Sequence, residues 1–195
     1  MIYTVKRYAL RKVTTHNMYK KPSSKRSNNL LPDYIAENIS KVDFTYLQST
    51  GIKAFLVDLD HTVVHYGTET VEDWVFEALK NQPLPFFVAT NRPKSKDVSV
   101  IVKALGAQGA MQPEGLKGKP LPAYYRRSEA ETGYTPSELI MVGDRFIQDI
   151  YGANKAGMTT LAVEKFGPVT GIDKFFSFIE IKIMKHLKRT YKKVK

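Results

Sequence analysis

The sequence predicts an α/β domain of the doubly wound, Rossmann-like kind, with helices on both faces of a parallel sheet. Three observations predict it. Short apolar runs alternate with amphipathic stretches of helical period along the chain. Polar residues close several of the runs, as expected where a sheet edge carries chemistry. At 195 residues, with 43% hydrophobic residues, ten Phe and eleven Tyr, there is enough apolar material for a real core.

Taken in order, residues 20–29 (KKPSSKRSNN) combine charge, Ser, Asn and Pro and read as a linker ending a basic N-terminal tail, so the body begins at Leu30. Residues 54–58 form a run with no polar alternation, the pattern of a strand buried on both faces, and 71–80 follow with helical period. Residues 86–90 give the second strand, 95–105 the second helix, and 107–111 a weaker strand. Helices are predicted over 121–132 and 147–156, and strands over 139–143 and 159–163. Thr135-Pro136-Ser137-Glu138 is a capping box with Pro at the first helical position, which starts a short turn before the strand at Leu139. There is no internal repeat. The expected division is a tail over 1–29, a body over 30–171 and a basic amphipathic helix over 172–195.

Charge is distributed unevenly. The first 30 residues carry +8 with no acid, residues 172–195 carry +6, and the total of +11 therefore leaves −3 for the body between them. Basic ends on a slightly acidic body point to an anionic partner, a lipid surface or a nucleic acid. Without Cys, disulfides and thiolate metal sites are excluded. No run approaches the roughly 18–20 apolar residues that span a bilayer, and residues 1–21 lack the apolar core of a secretory signal.

The polar residues closing the runs carry the chemistry. The first strand ends in Asp58-Leu59-Asp60-His61-Thr62, the second in Thr90-Asn91, and the fourth in Gly143-Asp144 with Asp149 five residues on, while Lys119 precedes the helix between the third and fourth. Carboxylates converging on one sheet edge repel unless a hard cation sits among them, and Mg²⁺ prefers oxygen ligands shared with a substrate phosphate. A phosphoryl group there needs donors and positive charge, which Lys119, the Thr90 hydroxyl and the loop amides after Asp58 can supply. Asp58 is then placed to attack phosphorus, and Asp60 to protonate the leaving oxygen and later deprotonate water.

The strings AFLVDLDHTVV, VATN, GKP and VGDRFIQD, in that order, resemble the four motifs of the haloacid dehalogenase (HAD) superfamily. From about Leu30 onward, LLPDYIAENI, GDRFIQDIYGANKAGM and the basic end after Asp173 resemble more closely the YqeG-type phosphatases, whose eukaryotic relatives are mitochondrial phosphatidylglycerophosphate phosphatases. The resemblance implies Asp58 as nucleophile and Asp60 as acid/base. It implies a phosphate site at Thr90, Asn91 and Lys119, and Mg²⁺ held by Asp58, Asp60 and Asp144, with Asp149 supporting the metal from behind. Two departures stand beside the leaving group: His61 where the family usually has Asn, and Thr90-Asn91-Arg92-Pro93 where it has Ser-Asn-Asn. His61 either shapes the flap or touches substrate, or else is an exposed loop residue without a role. Arg145 is either a substrate contact or a solvated charge.

In such enzymes a cap domain commonly enters after the first or second motif. Here 29 residues separate Asp60 from Thr90 and 28 separate Thr90 from Lys119, room only for the helices of the fold, so a cap is not expected. On a helical wheel, Phe175, Phe176, Ile179, Ile183, Met184, Leu187, Tyr191 and Val194 share one half-circle and Lys side chains the other, which suits either a membrane surface or packing on the body. The N-terminal tail fits a second lipid contact, an organelle-targeting segment or, least well, a nucleic-acid arm, since no base-stacking motif accompanies it. The expected function is Mg²⁺-dependent hydrolysis of a phosphate monoester through an aspartyl-phosphate. The expected substrate is phosphatidylglycerophosphate, met by a peripheral protein at the cytoplasmic face of a membrane. A phosphatase for a soluble metabolite or phosphoprotein, and a non-catalytic protein bound to an anionic surface, are the alternatives.

Overall fold

The computed structural model describes residues 16–22, 29–169 and 173–194. Its strands are Met18–Lys20 (β1), Tyr34–Ala36 (β2), Ala54–Val57 (β3), Phe86–Ala89 (β4), Ala110–Met111 (β5), Leu139–Gly143 (β6), Thr159–Val163 (β7) and Lys192–Lys193 (β8). They form one sheet in the order β5-β4-β3-β6-β7-β2-β1-β8, parallel from β5 through β2 and antiparallel at β1 and β8. The helices are Phe44–Ser49 (α1), Asp73–Leu79 (α2), Ser99–Leu105 (α3), Pro122–Arg126 (α4), Ser128–Thr132 (α5), Gly152–Lys155 (α6) and Asp173–Thr190 (α7).

The alternation of side chains along each strand divides the core between two faces. On one face Phe55, Val57, Val88, Ile140 and Val142 pack with Phe44 and Leu47 of α1, Val75 and Leu79 of α2, and Ile101 and Leu105 of α3. Phe55 lies between Phe44 and Phe86, with ring centroids 4.5 and 4.9 Å away. On the other face Leu56, Phe87 and Met141 meet Tyr124 and Tyr125 of α4 and Ala153 of α6. Each such side chain, fully removed from water, contributes roughly 1.5–3 kcal/mol. Because both faces are covered, the inner strands are apolar throughout, which explains why they lack a polar–apolar alternation.

From β3 the chain moves outward through β4 and β5, then returns to lay β6 and β7 on the opposite side of β3. The direction of winding reverses there, so the carboxyl ends of β3, β4 and β6 border the crevice where this fold places ligands. Residues 61–89 hold a small bridge between Val64 and Val71 together with α2, and residues 91–118 hold α3, so no cap domain is inserted.

Several elements differ from the sequence expectation. The helix expected over 121–132 is interrupted at Arg127, whose N–H turns back to the Tyr124 carbonyl. The one expected over 147–156 opens instead as a π-helical turn, Phe146–Tyr151, before α6. Of the segment read as a basic tail, residues 16–22 belong to the sheet: β1 pairs with β2, and Lys21 forms an ion pair with Asp33 at 2.8 Å. The remaining residues before Asn29 lie outside the described residues. The basic ends meet, because Lys20 of β1 lies opposite Lys192 of β8.

Helix α7 docks on an arc shifted from the expected stripe. Ser177, Met184, Leu187 and the following Tyr191 are buried, and Tyr191 donates its hydroxyl to the Pro32 carbonyl at 2.6 Å. Phe175, Phe176 and Ile179, on the other edge of that stripe, are exposed, as are Phe178 and Ile181.

Candidate active site

Asp58 follows β3 directly, Asp144 follows β6, and Asp149 sits in the π-helical turn, whose wider winding brings it back to the end of β6. A Cβ at Gly143 would collide with the Asp149 carboxylate, so only glycine admits it there. Oxygens of Asp58, Asp144 and Asp149 lie within 4.8 Å of one another, and all three residues are buried. Lys119 joins them from the loop after β5. Its ammonium group spends its three donors on Asp58 Oδ1 (2.6 Å), Asp149 Oδ1 (2.7 Å) and the Ala89 carbonyl (2.8 Å).

One fully buried cation among three carboxylates leaves an excess of negative charge. Burial pushes the Asp58 carboxyl up to about 7, against the pull of Lys119 and with a further push from Asp149. Burial, Asp58 and Asp149 together hold Asp144 well above the usual carboxylate range. For Lys119, burial disfavours the charge but the two aspartates prevail, and the ammonium form is held well above its ordinary range. Asp144 Oδ2 is buried without a hydrogen bond, although Lys165 Nζ stands 3.5 Å away, close enough for attraction but poorly placed to donate. Converging carboxylate oxygens, surplus negative charge and an unsatisfied buried acceptor fit the needs of a hard divalent cation.

Asp60 stands apart from this group. Its carboxylate takes Nε and Nη2 of Arg92 at 3.0 and 2.7 Å and the Gly67 N–H at 2.8 Å. Arg92 engages both of its oxygens, and its side chain lies outside the group formed by Asp58, Asp144 and Asp149, where Asp60 was expected beside Asp58 and Asp144. Although burial opposes it, the Arg92 contacts and the Gly67 N–H hold the Asp60 carboxyl below its ordinary range. Thr90, buried at the end of β4, accepts the Arg92 N–H at 3.1 Å. Asn91 uses its amide on the backbone of Lys119, accepting the N–H at 2.7 Å and donating to the carbonyl at 2.9 Å. It thus sets the Lys119 loop in place.

A family description, HAD-hydrolase-like, matches residues 116–166, the stretch that carries Lys119, Asp144 and Asp149. Over that stretch the chain resembles HAD-type hydrolases. It is similar to the "Probable phosphatase YqeG" of Bacillus subtilis, 24% identical over 82% of this chain and 92% of that protein. It is also similar to the chloroplastic phosphatidylglycerophosphate phosphatase 1 of Chlamydomonas reinhardtii, 28% identical over 69% of this chain and about half (52%) of that protein. Over a shorter stretch, 31% of this chain and 24% of the relative, it is 42% identical to a glyceraldehyde 3-phosphate phosphatase of Pyrococcus furiosus.

In this chain His61 is neither exposed nor open to a ligand through Nδ1. It is 2% exposed, has φ +63°, and stacks on Tyr66. Its Nδ1 lies 2.9 Å from the Phe166 carbonyl, which can only accept, so the proton sits on Nδ1. The left-handed backbone explains why Asn is at home in this position and why His is tolerated. Arg145 contributes its backbone N–H, which donates to Asp149 Oδ2 at 3.0 Å. Three contributors escaped the sequence reading. Arg92 stood in a noted departure from the family pattern but gave no sign of its partner. Thr62, which donates to Asp144 Oδ1 at 3.3 Å, lay within the first motif. Lys165, beyond β7, had no motif to mark it, and it ties the site to α7 through Ser177 (3.0 Å) and Glu180 (2.9 Å).

Proposed function

We propose that the protein is a Mg²⁺-dependent phosphate-monoester hydrolase that acts at a membrane surface on phosphatidylglycerophosphate. The observation that carries the reaction class is the buried group of Asp58, Asp144 and Asp149 bridged by Lys119. Asp58, Asp144 and Asp149 would hold the cation. When bound, the cation neutralises the carboxylates and draws charge from the phosphoryl oxygens. Lys119 occupies Asp58 Oδ1 and, among the described residues, nothing donates to Oδ2, so Oδ2 would be the attacking atom. It bonds to phosphorus as the phosphorus–oxygen bond to the alcohol breaks. Arg92 holds Asp60 ionised at rest, so its carboxylate would first take up a proton from solvent, pass it to the departing oxygen, and then remove one from the water that attacks the aspartyl-phosphate, releasing inorganic phosphate and restoring Asp58.

The lipid reading rests on three supports. No cap restricts the size of the substrate. Helix α7 presents Phe175, Phe176, Phe178, Ile179 and Ile181 to solvent, with Lys182 lying over the Phe178 ring at 4.2 Å, and the same helix reaches Asp144 through Glu180 and Lys165. An apolar face among basic residues suits an anionic bilayer surface. The third support is the named activity of the Chlamydomonas relative. No described helix is long and apolar enough to cross a membrane, so contact would be peripheral.

The test is phosphate release from phosphatidylglycerophosphate in mixed micelles, set against a panel of soluble phosphoesters, with and without EDTA. Faster turnover of the lipid, stopped by EDTA, is expected. A clear preference for soluble sugar phosphates would defeat the lipid assignment, and full activity in excess EDTA would remove the metal.

A further inference from the structure

Two of the cations at this site, Lys119 and Arg92, serve different ends of a phosphoester. Lys119 is bound to the attacking carboxylate and so lies on the side of the transferred phosphoryl group. Arg92 is bound to Asp60, the group that faces the departing oxygen in the reaction proposed above. Whatever is fixed to Asp60 lies beside the leaving group.

Arg92 is also more than a counter-charge. Its side chain is only 12% exposed, and its fork is anchored by Nε and Nη2 on the two Asp60 oxygens and by Nη2 on the Thr68 carbonyl at 2.8 Å. At its base, Thr90 accepts its N–H and the Gln112 amide donates to its carbonyl at 3.2 Å. The guanidinium is thus held rigidly before any ligand arrives, while Nη1, with two donors, makes no hydrogen bond among the described residues. A pre-ordered guanidinium with unused donors is suited to an oxyanion.

We propose that Arg92 reads the leaving group, and that the preferred substrates are phosphate monoesters whose alcohol carries a second anionic group, such as a phosphodiester, close to the scissile oxygen. The inference rests on the phosphatase reading and deepens it. Nη1 meets the second anion while Nε and Nη2 keep Asp60 aimed at the departing oxygen. Arg92 would then serve specificity directly and Asp60 by positioning. Lys in its place would keep the charge but lose the fork that does both at once.

The experiment uses the full chain with Mg²⁺ and two soluble substrates, so that no membrane enters: glycerol phosphate, whose leaving alcohol is neutral, and the deacylated headgroup glycerophosphoglycerophosphate, whose leaving alcohol carries a phosphodiester. The native protein should favour the second in kcat/KM by roughly 10- to 100-fold, the size of a lost charge-assisted hydrogen bond, with the difference mainly in KM. In Arg92→Gln the ratio should fall to about one, and in Arg92→Lys it should be partly kept. Equal use of both esters by the native protein, or a ratio that survives Arg92→Gln, would overturn the inference while leaving the phosphatase standing. If Arg92 only positions Asp60, both substrates lose rate equally and the ratio is unchanged. Failure of the native protein to hydrolyse either ester, or any other monoester, would overturn the phosphatase reading and this inference with it.

Discussion

Asp149 and Asp58 share one ammonium group: Lys119 Nζ lies 2.7 Å from Oδ1 of the first and 2.6 Å from Oδ1 of the second. Among the described residues neither carboxylate has another cation at that distance, and Asp149 and Lys119 are buried while Asp58 keeps only a small exposed edge. Removing the cation leaves like charges facing one another in a medium of low polarity. Lys119→Met should therefore lower the unfolding free energy of the metal-free protein by about 3–5 kcal/mol, measured by urea denaturation. A loss below about 1 kcal/mol would mean that the carboxylates simply take up protons in its absence.

Stability in the metal-free state should depend on pH in a particular direction. Asp58 and Asp144 are held above their unfolded values, so between about pH 4 and pH 7 the folded protein binds more protons than the unfolded chain. Their contribution to stability is thus present at low pH and is lost as pH rises through that window. Mg²⁺, which needs the ionised forms, should raise the melting temperature more at pH 7.5 than at pH 5.5. Thermal melts with and without MgCl₂ at the two values decide this, and a larger effect at pH 5.5 would contradict the assignment.

Asp58→Asn should abolish phosphate release without unfolding the protein. The amide oxygen can still accept from Lys119, yet it cannot attack phosphorus, and the excess negative charge falls by one. The metal-free melting temperature at pH 7.5 should stay level or rise. Native-like turnover in this variant would rule out the covalent route.

His61 should prove structural. His61→Ala loses the contact to the Phe166 carbonyl and places a residue without local support at φ +63°, and a cost of roughly 1–3 kcal/mol is expected in denaturant titrations. His61→Asn, better suited to that backbone, should cost less while leaving KM for phosphoesters near the native value. A large rise in KM in both variants would reinstate it as a substrate contact.

The exposed edge of α7 offers a test of membrane contact. Replacing Phe175, Phe176 and Ile179 by Ser should weaken binding to anionic vesicles and slow lipid turnover, but spare a small soluble ester, since none of the three is among the buried residues. Unchanged vesicle binding would assign this face to another partner. Truncation is a poorer probe than it looks from the sequence. Deleting residues 1–29 would remove β1, and stopping after Lys185 would remove Leu187, Tyr191 and β8.

Much of this was legible along the chain because it depends on neighbours in sequence. The strand over 139–143 is found at its expected limits, since five consecutive apolar residues buried on both faces have no other stable arrangement here. The turn at Thr135 is found as expected, with Glu138 accepting the Thr135 N–H at 2.9 Å. Asp58, Lys119 and Asp144 were legible because each closes or precedes a run whose direction in a doubly wound sheet is already known.

The pairings were not legible, because they form across distances that no local pattern encodes. That Asp149 enters the carboxylate group depends on a π-helical turn and on the missing Cβ of Gly143, and that Asp60 is held by Arg92 depends on two loops meeting. The arc of α7 that docks was set by the surface it meets rather than by its own periodicity: Ser177 and Glu180 are drawn toward Lys165, and three phenylalanines are left outside. By itself the sequence determined the strands β3 to β7, their order along the chain and the carboxylates at their ends, since propensity and burial act residue by residue, while β1, β2, β8 and α1 had no comparable local signal. Only the tertiary structure decided which charge neutralises which, because Coulomb attraction in a buried site depends on distances that the packed fold alone defines.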